Sequence, residues 1–288
     1  MSGRRGVPWL LLLPGAAIYV AVMIAPAIAS VVYSLTDFTG LGEAHFIGLD
    51  NYRETLSDPQ ASGSLKNTLL LTVVSVVVMN AIGLVLALAL HRPFRGRTLL
   101  RVIFFAPVVL SPVVIGYLWQ YVYSPDGGIN RVLGTLGLDG LEHVWLGEPG
   151  LALWAIAAVF IWQNVGLSMI IFAAGLEGVP DDLLEAAQLD GARAWRRFRD
   201  IVFPLLAPAL TVNLALALIG GLRIFDQVLA MTGGGPGYAT ETVSTVIYKE
   251  FANGEYAYST ALAVELTAVI VLLSAAQVLV LRRREALV

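Results

Sequence analysis

The chain has no cysteine, and only 14% of its 288 residues are charged. Without cysteine there are no disulfides, no thiolate chemistry and no cysteine-bound metal, although the compartment stays open. The shortage of charge is more telling, because soluble domains carry about 25%. Histidine is scarce too: His45, His91 and His143 fall in separate loops, too dispersed to build a metal site by themselves. Also missing is the GxxxxGK[ST] loop, whose lysine and hydroxyl meet phosphate and magnesium, so any ATP hydrolysis has to come from another polypeptide. No clustered acid, base, nucleophile or metal triad suggests an enzyme. No aromatic and basic platform suggests nucleic acid. The net charge of −3 says little about partners.

What is present is oil. Hydrophobic residues make up 57% of the chain, and the mean hydropathy is +0.76. Six long apolar runs are predicted as spans, at approximately 9–34, 66–90, 102–123, 151–174, 202–223 and 260–281, the fifth extending toward Leu229. A lipid-spanning helix needs about 20 apolar residues. Backbone in lipid must pair internally, which leaves helices or a closed barrel. Barrel strands alternate in polarity, and runs such as Leu69–Leu90 do not. The expected fold is therefore all-α and polytopic.

Basic residues favour the cytoplasmic side of a span. Arg4 and Arg5, the loop with Arg92, Arg95, Arg97 and Arg101, the loop with Arg193, Arg196, Arg197 and Arg199, and Arg282, Arg283 and Arg284 would share that side, placing both termini in the cytoplasm. Attraction to anionic lipid is a sufficient reason for these edge clusters. The first run follows two arginines as a signal peptide would, but it is too long and lacks a small-residue cleavage site, so it is expected to be retained.

Between the fourth and fifth runs, Pro180 followed by Asp181 and Asp182 predicts a helix start. Leu183, Leu184 and Ala187 make one apolar stripe, Gly191 permits a turn, and residues 192–200 form a second helix carrying Trp195 and Phe198 among arginines. So short a helix is marginal in water, so its apolar face should dock on something.

In this loop Glu185, Ala186 and Ala187 precede Asp190 and Gly191, with Ile201 and Pro204 after them. The series resembles the cytoplasmic loop of permease subunits in binding-protein-dependent ABC importers: Glu-Ala-Ala, three residues, Gly, nine residues, Ile, one residue, Leu, Pro. Phe203 stands where leucine is usual, keeping the position apolar. Met231–Gly237 with Thr240, Glu241 and Thr242, and the segment Phe46–Tyr52, look like outer segments of the carbohydrate branch of that family. The resemblance implies a type I importer permease fold, one transmembrane domain over 1–288, in a bacterial cytoplasmic (inner) membrane. It also implies that 181–200 contains a coupling helix seated in a cytoplasmic ATPase. The implied partners are a second homologous permease, two ATPase copies that bind ATP and Mg, an extracytoplasmic solute-binding protein and a small polar solute. The chain itself would bind no cofactor.

Polar groups at membrane depth are costly and face protein or water. Glu265 is predicted to make an interhelical bond or to line a cavity. Asn80 and Asn213 either bridge helices or line the path. Trp162, Gln163 and Asn164 offer a ring and amides to a sugar, or serve packing. Arg223 and Asp226, three residues apart, are expected to pair on one helix face; a phosphorylated solute would give Arg223 more to do.

The function expected is permeation of a carbohydrate by alternating access, driven by separate ATPases. The alternatives are glycerol-phosphate or another small polar solute, and, from another class, an ion-coupled secondary transporter using Glu265 and Asp226. The absence of an evident inverted repeat weighs against the last.

Overall fold

The computed structural model describes residues 12–285. Arg4, Arg5 and the start of the first run lie outside the described residues, as do the side chains of Arg283 and Arg284. Among the described residues the regular structure is helical, apart from one isolated bridge between Thr36 and Phe46.

Four helices are each long and apolar enough to cross a membrane: α1 (Leu13–Tyr33), α3 (Pro59–Ala89), α7 (Pro149–Glu177) and α13 (Tyr256–Glu285). The runs expected at 102–123 and 202–223 are not straight helices. The first is α4 (Arg97–Val109) followed by α5 (Pro112–Val122), with a 100° bend between them. The second is α9 (Ala194–Leu205) followed by α10 (Ala207–Leu222), bent by 67°. Proline accounts for the breaks. Pro107 and Pro112 flank the first, and Pro204 and Pro208 flank the second; each ring removes a backbone donor and disfavours a helical residue before it. Counting each bent pair as one span gives six. The protein is thus an all-α, multi-pass membrane protein.

The chain divides into two compact units. One comprises the described residues up to Asp58 with Ile247–Thr267. Here α1 buries none of its residues, leaving an apolar cylinder uncovered. Beyond it, Asn51 on the short helix α2 (Asp50–Ser57) donates to the carbonyls of Ser34 at 2.8 Å and Thr36 at 2.9 Å, while the Tyr52 hydroxyl meets that of Ser34 at 2.7 Å. The Phe46–Tyr52 segment is therefore a clamp on the end of α1. The start of α13 belongs to this unit: Ala257 N donates to Phe38 O at 3.0 Å, and the Tyr258 hydroxyl to Asp58 at 2.7 Å.

The other unit comprises Pro59–Val246 and the chain from Ala268 on. Its centre is α7, the most buried of the long apolar helices, packed on α3, α4 and α10. Leu71, Ile156, Val159, Met169 and Phe172 are almost fully enclosed. Lipid tails are as apolar as these side chains, so close fit has to hold the helices together. Gly166 shows the fit: a Cβ there would run into the backbone of Phe104 on α4. Short elements complete the unit: α6 (Gly128–Thr135), α8 (Asp181–Leu189), α11 (Asp226–Met231) and the first part of α12 (Val243–Asn253).

Candidate functional site

Where α4 gives way to α5, the carbonyl of Leu110 loses its helical partner, and the side chain of Gln163 replaces it from α7, donating at 3.1 Å. Gln163 in turn accepts a 2.8 Å bond from Gln227 on α11. Both glutamines are buried. Irregular backbone at membrane depth needs such protein partners.

One residue further along α7, Asn164 faces elsewhere. It donates to Phe160 O one turn back on its own helix, 2.9 Å away, and lines a cavity of about 90 Å³ with Asn213, Ser168, Ala217 and Gly220. Asn213 bridges helices, donating to Ser168 O at 3.1 Å. Trp162 turns to a third direction, into an apolar groove, with its ring edge-on to Trp119 at 5.3 Å between centroids. The three residues do not form one sugar-facing surface. Successive helical residues step about 100° around the axis, so one faces a groove, one a helix break and one a cavity.

Arg223 and Asp226 are not paired either. The helix ends at Leu222, Phe225 adopts φ −139° and ψ −59°, and α11 begins at Asp226. Spacing by three brings side chains together only on an unbroken helix. Arg223 is exposed, and among the described residues no ion pair joins it to Asp226. In the unit that contains it, Glu265 makes an interhelical bond, accepting from Thr55 at 2.7 Å. On α3, Asn80 only donates to its own helix at Val76 O, 2.8 Å away.

The Gly-rich segment Met231–Gly237, with Tyr238–Thr242 after it, is a tightly bonded loop. Gly233, Gly234 and Gly237 have positive φ, as turn chemistry requires. Asn67 on α3 donates to the carbonyls of Tyr238, Ala239 and Glu241, Gln60 bonds Glu241 at 2.9 Å, and Thr68 accepts from Val243 N at 3.0 Å. Thr240, Glu241 and Thr242 are wholly buried. Asn67 and Thr68 drew no attention in the sequence, where nothing links them to a loop some 170 residues away.

The connection after α7 is built differently, with its apolar groups outward. Pro180 is extended before α8, Asp181 and Asp182 lie in the first turn, and Gly191 has φ +77°. Arg197 on α9 donates to Gln188 at 2.8 Å and closes the hairpin. Leu189 is 90% exposed, Trp195 69% and Leu183 47%. Glu185, Ala186, Asp190 and Gly191 are also exposed, while Ala187, Ile201 and Pro204 are half-buried. A helix–turn–helix is present, its second helix beginning at Ala194 rather than Ala192 and running on past Asp200 to Leu205.

Among the described residues no group of three or more His, Asp or Glu side chains is placed to hold a metal ion. Residues 79–286, well over half of the chain, match the family of binding-protein-dependent transport system inner membrane components. The "Probable starch degradation products transport system permease protein AmyD" of Thermoanaerobacterium thermosulfurigenes is 32% identical over 278 residues, covering 96% of this chain and 94% of the relative. The sn-glycerol-3-phosphate transport system permease protein UgpA of Agrobacterium fabrum is 35% identical over 279 residues, covering 94% and 93%. In fold, the chain is similar to a subunit in the crystal structure of a bacterial ABC transporter involved in the import of the acidic polysaccharide alginate, with a TM-score of 0.84, 24% identity, and 96% and 94% of the two chains covered. The chain belongs to the binding-protein-dependent transport system inner membrane components, as a permease subunit of an ABC-type importer.

Proposed function

We propose that this permease passes a carbohydrate through the membrane by alternating access, as one transmembrane domain whose loop 181–200 is the coupling element for a cytoplasmic ATPase. The observation that carries the reading is the hairpin of α8 and α9. It leaves Leu183, Leu189 and Trp195 exposed on either side of the Glu185–Gly191 series, apolar side chains that cost free energy in water unless a partner covers them. Two ATPase copies binding ATP and Mg, a second permease and an extracytoplasmic solute-binding protein complete the assembly. Closure of the ATPases on ATP would bias the transmembrane helices between two packings. Both termini then lie in the cytoplasm, on the side of the arginine clusters.

The solute path is assigned to the cavity lined by Asn164 and Asn213, whose amides can serve sugar hydroxyls. At about 90 Å³ it is too small to enclose a sugar by itself, since ligand pockets run to about 300 Å³ or more. A second permease facing it would supply the rest. In the reconstituted complex, Gly191→Trp and Glu185→Lys should lower ATPase association and solute-stimulated hydrolysis while membrane insertion stays normal. Unimpaired assembly and transport in both variants would refute the assignment.

A second reading, glycerol-phosphate uptake, is favoured by Arg223, an exposed guanidinium that forms no ion pair among the described residues, and by the similarity to UgpA. If it holds, Arg223→Gln abolishes uptake of the phosphorylated solute and spares a neutral sugar. Uptake that stops when the ion gradient is collapsed, with ATP still supplied, would instead favour the secondary transporter.

A further inference from the structure

An apolar groove of about 600 Å³ runs between α3, α4 and α7, walled by Ile82 and Leu86, by Ile103, Phe104 and Pro107, and by Trp162. Its wall carries no charge. One end of it does. Arg97 and Arg101 precede Phe104 by seven and three residues on α4, so all three share a helix face. Arg101 is fixed beside the end of α3 by donating to Leu90 O at 3.3 Å, one turn beyond Leu86.

These cations are short of acceptors. The Nε–H groups of Arg97 and Arg101 are both shielded from solvent without a hydrogen-bond partner, and so is Nδ1 of the adjacent His91. The carboxylate nearest Arg101 in an ion pair is Glu177, 3.9 Å away and 62% exposed. The sequence has no Asp or Glu anywhere from 59 to 125. A guanidinium cannot shed its charge, and its forked donors match phosphate oxygens.

We propose that this groove holds an acyl chain of an anionic phospholipid from the surrounding bilayer, with the lipid phosphate on Arg97 and Arg101. An apolar helix from a partner would fill the groove equally well, yet would offer the Nε–H groups of the arginines no acceptor; a lipid supplies both halves. Basic pockets between membrane helices bind anionic head groups in this way. The proposal rests on α3 and α7 spanning the bilayer and not on the identity of the solute.

The test is native mass spectrometry of the assembled importer released from nanodiscs of phosphatidylglycerol and phosphatidylcholine mixed equally. Wild type should retain phosphatidylglycerol over phosphatidylcholine by about tenfold or more, since two arginines at the membrane surface attract the anionic lipid. Arg97→Gln with Arg101→Gln should lose that preference. Ala158→Phe, which fills the groove with both arginines intact, should lose the lipid itself. A photoreactive phosphatidylglycerol should label residues 97–107 in wild type, which keeps the idea testable if a variant folds poorly. Equal retention of the two lipids by wild type, or a disulfide forming under oxidation between Ile103→Cys and a cysteine introduced into a helix of the second permease, would overturn the proposal. Neither result bears on solute transport or ATPase coupling, so the functional reading stands or falls separately.

Discussion

Gln227 donates a 2.8 Å hydrogen bond to Gln163, and Gln163 passes the interaction on to the Leu110 carbonyl at 3.1 Å. Three elements thus meet at the break between α4 and α5. Gln163→Leu would strand both an acceptor and a donor, at a cost of about 1–3 kcal/mol. The double variant with Gln227→Leu should lose less than the sum of the single changes, by about 0.5 kcal/mol or more. Unfolding of the four proteins in detergent measures it; simple additivity would mean that the two glutamines act independently.

Gly166 and Gly63 give an internal contrast. A Cβ at Gly166 meets the Phe104 backbone, which cannot rotate away, whereas one at Gly63 meets nothing within 4 Å. Gly166→Val is expected to cost at least about 2 kcal/mol, as overpacking does. Gly63→Ala should be neutral or stabilise by up to about 1 kcal/mol, because alanine favours the helix. Thermal unfolding of the two variants decides the matter.

How far the sequence discloses this architecture depends on the range of the interaction. Pro180, Asp181 and Gly191 act within a few residues of themselves, and the hairpin they predict is the one observed. The bends at Leu110 and Leu206 are hidden because hydropathy runs through them without a dip, although the flanking prolines were visible. No proline marks the break at Phe225, so the Arg223–Asp226 spacing suggested a pair that does not form. The neighbours Trp162, Gln163 and Asn164 read as one group along the chain and are separated by helical rotation. The bonds of Asn67 to the Gly-rich loop, and of Thr55 to Glu265, join residues more than 170 positions apart, beyond any local pattern.

For the solute path, Asn164→Leu and Asn213→Leu should raise the transport KM about tenfold, the equivalent of one lost hydrogen bond, with the complex still assembled. If both variants merely lower the yield of folded protein, the asparagines serve packing alone.

Acid should loosen the loop after α1. The Asp37 carboxyl is held below the usual carboxylate range, first by the backbone N–H of His45, 2.7 Å away, and less by the His45 charge. A carboxylate whose folded pKa is depressed stabilises the fold above its unfolded pKa of about 4, and that contribution disappears as pH falls through the lower folded value. Hydrogen exchange at residues 37–46 should therefore accelerate, after correction for intrinsic rates, as pH falls through about 4 and below. Asp37→Asn should weaken this dependence. Unchanged protection across that window in the wild type would contradict it.

The central claim is that the hairpin of α8 and α9 meets a motor in the cytoplasm. Because the chain has no native cysteine, Leu189→Cys introduces a single thiol at a site that is 90% exposed. Treated with a membrane-impermeant maleimide, intact cells should leave that thiol unmodified and permeabilised cells should label it, with the bound ATPase subunit slowing the reaction. Labelling of intact cells at the permeabilised rate would put the hairpin on the wrong side of the membrane and contradict the account.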